Sequence, residues 1–251
     1  MGRILDLLIV AGTAALAVRL FTADLHHRYR VFFFYLIFAT VHLGVLACFG
    51  HRSNAYQKIW VLTEPGDWLF FVLVVLEIYA LVLQDYRGLS TVSRWALVLA
   101  VFVALAASGL SLIAPSQSPQ SHLMLYYYVA ERAVYFSLVV FLLSILGLLM
   151  QYPIALSRNI VVHSMVFSVY FLGNSVIYLL LSTRGYGSLA VVRYSLYIIT
   201  LGALGAWLAM LNPAGELRQL RVRPQWMPGR DEQLVNQLKH LNAALLRATN
   251  K

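Results

Sequence analysis

VFFFYLIFATVHLGVLACFG, residues 31–50, contains no Asp, Glu, Lys or Arg. As an α-helix rising 1.5 Å per residue, a run of about 20 residues covers the roughly 30 Å of a bilayer's hydrocarbon layer. Lipid offers no partner to an unpaired backbone group, so such a run crosses either as a helix or as part of a closed barrel. The alternating segments of about ten residues that mark a barrel are absent from this chain.

Six further runs have the same character: 4–22, 67–85, 95–114, 123–150, 159–182 and 189–211. They predict an all-α membrane protein, a seven-transmembrane-helix bundle over residues 1–211. Composition agrees. Of the 251 residues 61% are apolar and 12% charged, where soluble domains carry about 45–50% and about 25%. A cleaved leader ending at Ala15-Leu16-Ala17 is the competing reading of the first run. Asp6 interrupts its apolar region and Arg3 is a thin basic start, so 4–22 is read as a span.

Prolines help to set boundaries. Pro65, Pro115, Pro153 and Pro213 all fall between the runs, where proline suits helix starts and the residues past helix ends. Thr63-Glu64-Pro65-Gly66-Asp67 accordingly reads as a helix start, with carboxylates where the dipole favours them. Gly202 and Gly205, with Ala104, Ala107, Ser108 and Ser111, read as close-packing faces.

The net charge of +9 comes from sixteen Arg and three Lys. In a membrane protein it points to cytoplasmic loops and the anionic leaflet rather than to nucleic acid. With the N-terminus outside, the inner short segments carry Arg19, Arg28, Arg30, Arg87, Arg94 and Arg158. The outer ones carry Arg3, Arg52, Lys58, Arg184 and Arg193. The tail adds Arg218, Arg221, Arg223 and Arg230 to the inside. An N-out, C-in protein of the plasma (inner) membrane is expected.

Ionisable groups inside spans are costly and mark sites. His42, Glu77, Glu131, Arg132 and Asn174 fall roughly 12–15 Å from the outer ends of their spans, as one polar layer. Tyr128 and Tyr135 share the helix face of Glu131 and Arg132. Pairing of Arg132 with Glu77 or Glu131 is the structural expectation; a ligand pocket is the functional one. His163 falls near the cytoplasmic face, at a different depth from His42, which disfavours a bis-histidine haem. His26-His27 reads as a solvated loop pair with no carboxylate at metal spacing. No metal or other cofactor is expected. The lysines Lys58, Lys239 and Lys251 all lie outside the spans, which removes a retinal-type Schiff base.

Residues 212–251 form a basic cytoplasmic tail, with a C-terminal amphipathic helix expected over about 230–249. Leu234, Leu238, Leu241 and Leu245 step by four, three and four, a short heptad seam. Its polar face is poor in cations, which favours pairing with a copy of itself or with a separate protein over lying on the bilayer. The combined expectation is a non-enzymatic sensor or scaffold with an intramembrane polar pocket and a partner-binding tail helix. A small transporter or channel is the alternative, and an integral membrane enzyme acting on a lipid or quinone the second alternative.

Overall fold

In the computed structural model the described residues are 2–49, 53–84, 122–151, 155–184, 189–217 and 219–221, with isolated positions at 95, 102, 236, 237, 239, 240 and 243. Seven helices are numbered here in chain order: α1 (Gly2–Thr22), α2 (Arg30–Cys48), α3 (Asn54–Val82), α4 (His122–Gln151), α5 (Arg158–Arg184), α6 (Leu189–Met210) and α7 (Pro213–Leu217). Five of them, α1, α2, α3, α5 and α6, are long and apolar enough to cross a membrane. The 95–114 run lies outside the described residues, apart from Trp95 and Phe102, which are helical and exposed.

Apolar side chains cover both the inside and the outside of the bundle. Leu16, Leu36, Val74, Leu138, Phe167 and Phe171 are fully buried. Val18, Phe34, Val41, Val169 and Ile198 are exposed. In water the second set would be a liability; in lipid it is the solvated face.

The third helix departs from expectation. It begins at Asn54, capped by the Ser53 hydroxyl, which accepts from the Ala55 N–H at 3.2 Å, and it runs through Pro65. Thr63-Glu64-Pro65-Gly66-Asp67 is therefore helix interior and not a helix start. Membrane helices tolerate Pro and Gly because neighbouring helices and hydroxyls take up the freed backbone groups. Thr63 bonds the Ile59 carbonyl of the preceding turn at 2.7 Å. Gly66 also admits the Phe38 ring, whose tip would stand 2.9 Å from an added Cβ. Glu64 and Asp67 are thereby carried into the bundle.

Helices α3 and α4 run in the same direction. Phe71 meets Tyr135 at 5.6 Å and, further along both helices, Tyr79 meets Phe141 at 4.4 Å. Close approach of α1 and α5 to α6 rests on Gly12, where a Cβ would lie 3.1 Å from Leu204, and on Gly173, where it would lie 2.6 Å from Ile199. The expected close-packing glycines are not used so: Gly202 and Gly205 have open space at the Cβ position. Gly202 instead borders an apolar groove of about 370 Å³ between α5 and α6.

The start of the tail is docked on the bundle. Ala155–Ser157 (β1) pairs antiparallel with Gln219–Arg221 (β2), a short ribbon in an otherwise helical chain. Between them Glu216 gathers three partners. Tyr29 donates its hydroxyl at 2.6 Å, Asn159 its side-chain amide at 2.8 Å, and Arg28 pairs with the second oxygen at 2.9 Å. Burial, then contact with Glu216, pushes the Tyr29 hydroxyl well above the ordinary tyrosine range, so it remains a donor. Arg19 adds bonds to the Leu208 and Leu211 carbonyls at the end of α6. Leu234, Leu238, Leu241 and Leu245, the expected tail seam, lie outside the described residues.

A Cβ on Gly215 would fall 2.1 Å from Asn159 Oδ1. Gly215→Val is thus expected to loosen this latch by about 1–3 kcal/mol. The readout is faster amide exchange over 213–221, with the exchange of α5 unchanged.

Candidate functional site

A cavity of about 230 Å³ lies among α1, α2, α3, α5 and α6, with Tyr135 of α4 at its edge. Its polar groups are His42, Glu64, Asp67, Thr13, Thr200 and several tyrosines. On its wall, His42 Nδ1 stands 2.9 Å from Asp67 Oδ2, and behind it Nε2 stands 2.8 Å from the Thr63 hydroxyl. The His42 side chain is buried and that of Asp67 partly exposed. Thr63 has one proton. Given to Ile59, it leaves the hydroxyl accepting from Nε2–H, and the imidazole carries a proton on each nitrogen. Given to Nε2, it leaves a neutral ring. In both cases Nδ1–H donates to Asp67, which fixes the ring.

Glu64, one residue along from Thr63, turns toward α4. It is buried and lies close to the Glu131 carboxyl. Glu131 is also buried, with the Tyr135 hydroxyl at 3.4 Å and Tyr178 beside it. Tyr135 and Tyr178 stack nearly parallel at 5.8 Å, and Tyr135 meets Tyr170 edge-on at 6.3 Å.

Three of the residues expected in the polar layer come together here: His42 and Tyr135 at the cavity, and Glu131 behind Glu64. Tyr128 lies on α4, one turn before Glu131. Asn174 donates to the Tyr170 carbonyl of its own helix at 2.7 Å. Glu77 stands elsewhere. Its two oxygens accept the Val31 and Phe32 amides at 2.8 and 3.1 Å, capping the start of α2 at the opposite end of that helix from His42. Arg132 is half-buried on α4.

Glu64 and Asp67 are the residues that sequence reading assigned elsewhere. The signal for them was the apolar stretch Trp60-Val61-Leu62 before Thr63, which continues the helix upstream of Pro65. Their spacing of three then puts both carboxylates on one face.

His163 is fully buried and its two ring nitrogens have no hydrogen-bond partner among the described residues. Phe32 at 4.4 Å, Phe167 at 4.9 Å, Tyr29 at 5.3 Å and Trp207 at 5.8 Å enclose it. His26 and His27 do have a nearby carboxylate, contrary to expectation. Asp24 Oδ1 stands 3.8 Å from His26 Nδ1 and 3.7 Å from His27 Nε2, in a largely exposed turn. Asp24 adopts a left-handed backbone, φ 56°, and this bends the chain so that the three meet.

A hydroxyl, an imidazole and a carboxylate in line can form a nucleophilic triad. Here Thr63 is not among the residues bordering the cavity. The backbone around it is helical, so its amides are committed to the ladder and offer no oxyanion hole. The arrangement is suited to binding and to holding protons. No family model, no curated protein and no solved structure matches the chain.

Proposed function

We propose that the chain is a non-enzymatic membrane module that binds a small ligand in the cavity beside His42 and reports occupancy through its C-terminal segment. The carrying observation is the cavity itself, with His42–Asp67 and Glu64–Glu131 set in a bundle whose outer face is apolar. Buried ionisable groups at membrane depth are retained at a cost, and function is the default explanation. A packed route to the tail supports the reporting half: Trp207 borders the cavity and meets His163, His163 meets Tyr29, and Tyr29 bonds Glu216.

Seven crossings belong to this reading. The parallel course of α3 and α4 supports this count, with 95–114 the apolar run expected to supply the return crossing. The arginines near the Glu216 latch favour that end as cytoplasmic, giving N-out, C-in in a plasma (inner) membrane. The leucine seam of the tail would then pair with its copy or with a separate cytoplasmic protein.

Small-solute access to the cavity tests the binding reading without knowledge of the ligand. Ala39 borders the cavity and is buried; Leu142 is buried and does not border it. In a Cys48→Ser background, Ala39→Cys is expected to react with methyl methanethiosulfonate at least tenfold faster than Leu142→Cys. Equal, slow labelling of both would mean that these helices enclose only packing.

Transport is a second reading, favoured by one observation. Pro65 and Gly66 stand inside α3 between Glu64 and Asp67, and transporters often carry Gly and Pro in the helices of their sites. It requires flux in proteoliposomes that Glu64→Gln abolishes.

A further inference from the structure

We propose that the ligand of this cavity is a small organic ammonium ion carrying a hydroxyl or other hydrogen-bond acceptor. The proposal rests on the binding reading above and adds the chemistry of what binds.

Charge is the first argument. Two carboxyl groups, Glu64 and Asp67, border the cavity, and no Lys or Arg is among its described lining residues. His42 is the one basic side chain against them among the described lining residues, which leaves an excess of acidic charge available to a ligand. In a medium of low dielectric that charge draws a cation.

The walls are the second argument. Tyr35, Trp60, Phe71, Tyr170 and Trp207 present aromatic groups around the carboxyls. Ring faces attract ammonium groups, most strongly where water is excluded. An inorganic ion would leave these rings unused and most of the space empty.

Size and one orphaned donor complete the case. The volume of about 230 Å³ exceeds the roughly 150 Å³ in which a protein interior accommodates benzene. Trp207 is buried, and its indole N–H meets no acceptor among the described residues. A ligand oxygen would satisfy it; a bare tetraalkylammonium would not. A smaller chamber of about 60 Å³ shares Ile9, Leu43, Leu46, Tyr56 and Tyr197 with the cavity and adds Asp6. It extends the cavity toward the start of α1, where Tyr197 donates to Asp6 at 2.5 Å and Arg193 sits beside Tyr197.

Choline and 3,3-dimethyl-1-butanol test this directly, being matched in shape and differing by the charge. The full chain is reconstituted in phosphatidylglycerol nanodiscs and titrated calorimetrically with each. Choline is expected to bind at least tenfold more tightly than the neutral alcohol. Glu64→Gln should remove that preference while leaving the thermal transition cooperative. As a second variant, Trp207→Phe should weaken choline but not tetramethylammonium. Repeating the titration in phosphatidylcholine discs identifies the source: competition assigns the ammonium to a lipid headgroup, unchanged binding to a free solute, and both uphold the class. Equal binding of the alcohol, or no choline binding, overturns the proposal. Should Ala39→Cys still label rapidly in that case, the cavity remains a binding site for another chemistry; should it not, both readings fall.

Discussion

Asp67→Ala is expected to destabilise the bundle by about 3–5 kcal/mol, because it breaks a buried pair and strands its partner. His42 Nδ1 loses its carboxylate acceptor, at 2.9 Å, on the wall of the cavity. Asp67→Asn retains an acceptor oxygen and should cost about 1–2 kcal/mol. Reversible unfolding in mixed micelles reads both. If the alanine variant unfolds like the parent protein, the pair is not formed, and the wall of the cavity that it builds is wrong.

Glu77→Ala has the next largest expected effect, at about 2–4 kcal/mol, and for a different reason. Glu77 accepts two first-turn amides of α2, and those donors have no helical partner of their own. Removing the acceptor exposes the desolvation cost of two N–H groups. Glu77→Gln, which keeps one acceptor oxygen, should fall between the parent and alanine. Amide exchange over residues 30–34 should accelerate in step. Labelling at Ala39→Cys should not change, since Glu77 and His42 lie toward opposite ends of α2. A Glu77 variant that alters cavity access without loosening the start of α2 would return this carboxylate to the polar layer.

Much of the helical pattern was legible because lipid imposes it. Residues 4–22 and 31–50 match α1 and α2 within two residues at either end. The rule for prolines failed at Pro65, because it carries over a cost that water imposes and a membrane bundle relieves. That single boundary decided the site. Depth counted from a start at 67 put Glu77 near the middle of its span; counted from Asn54, Glu77 lies near the far end and Glu64 comes level with Glu131. His42, Glu131 and Tyr135 were legible because a polar side chain in an apolar run stands out whatever the boundary. Pairing was not, because which carboxylate meets His42 depends on how α2 and α3 are registered. The docking of 213–221 was likewise hidden. Glu216 resembles any tail carboxylate until Arg28, Tyr29 and Asn159 converge on it from two other segments.

Electron cryo-microscopy of the full chain in phosphatidylglycerol nanodiscs, at a resolution that shows ordered water, tests the central claim most directly. The account predicts an open chamber bordered by His42, Glu64, Asp67 and Trp207, holding water without ligand and non-protein density with choline. A chamber closed by Tyr35, Tyr170 and Trp207 packing together, with or without choline, would contradict it.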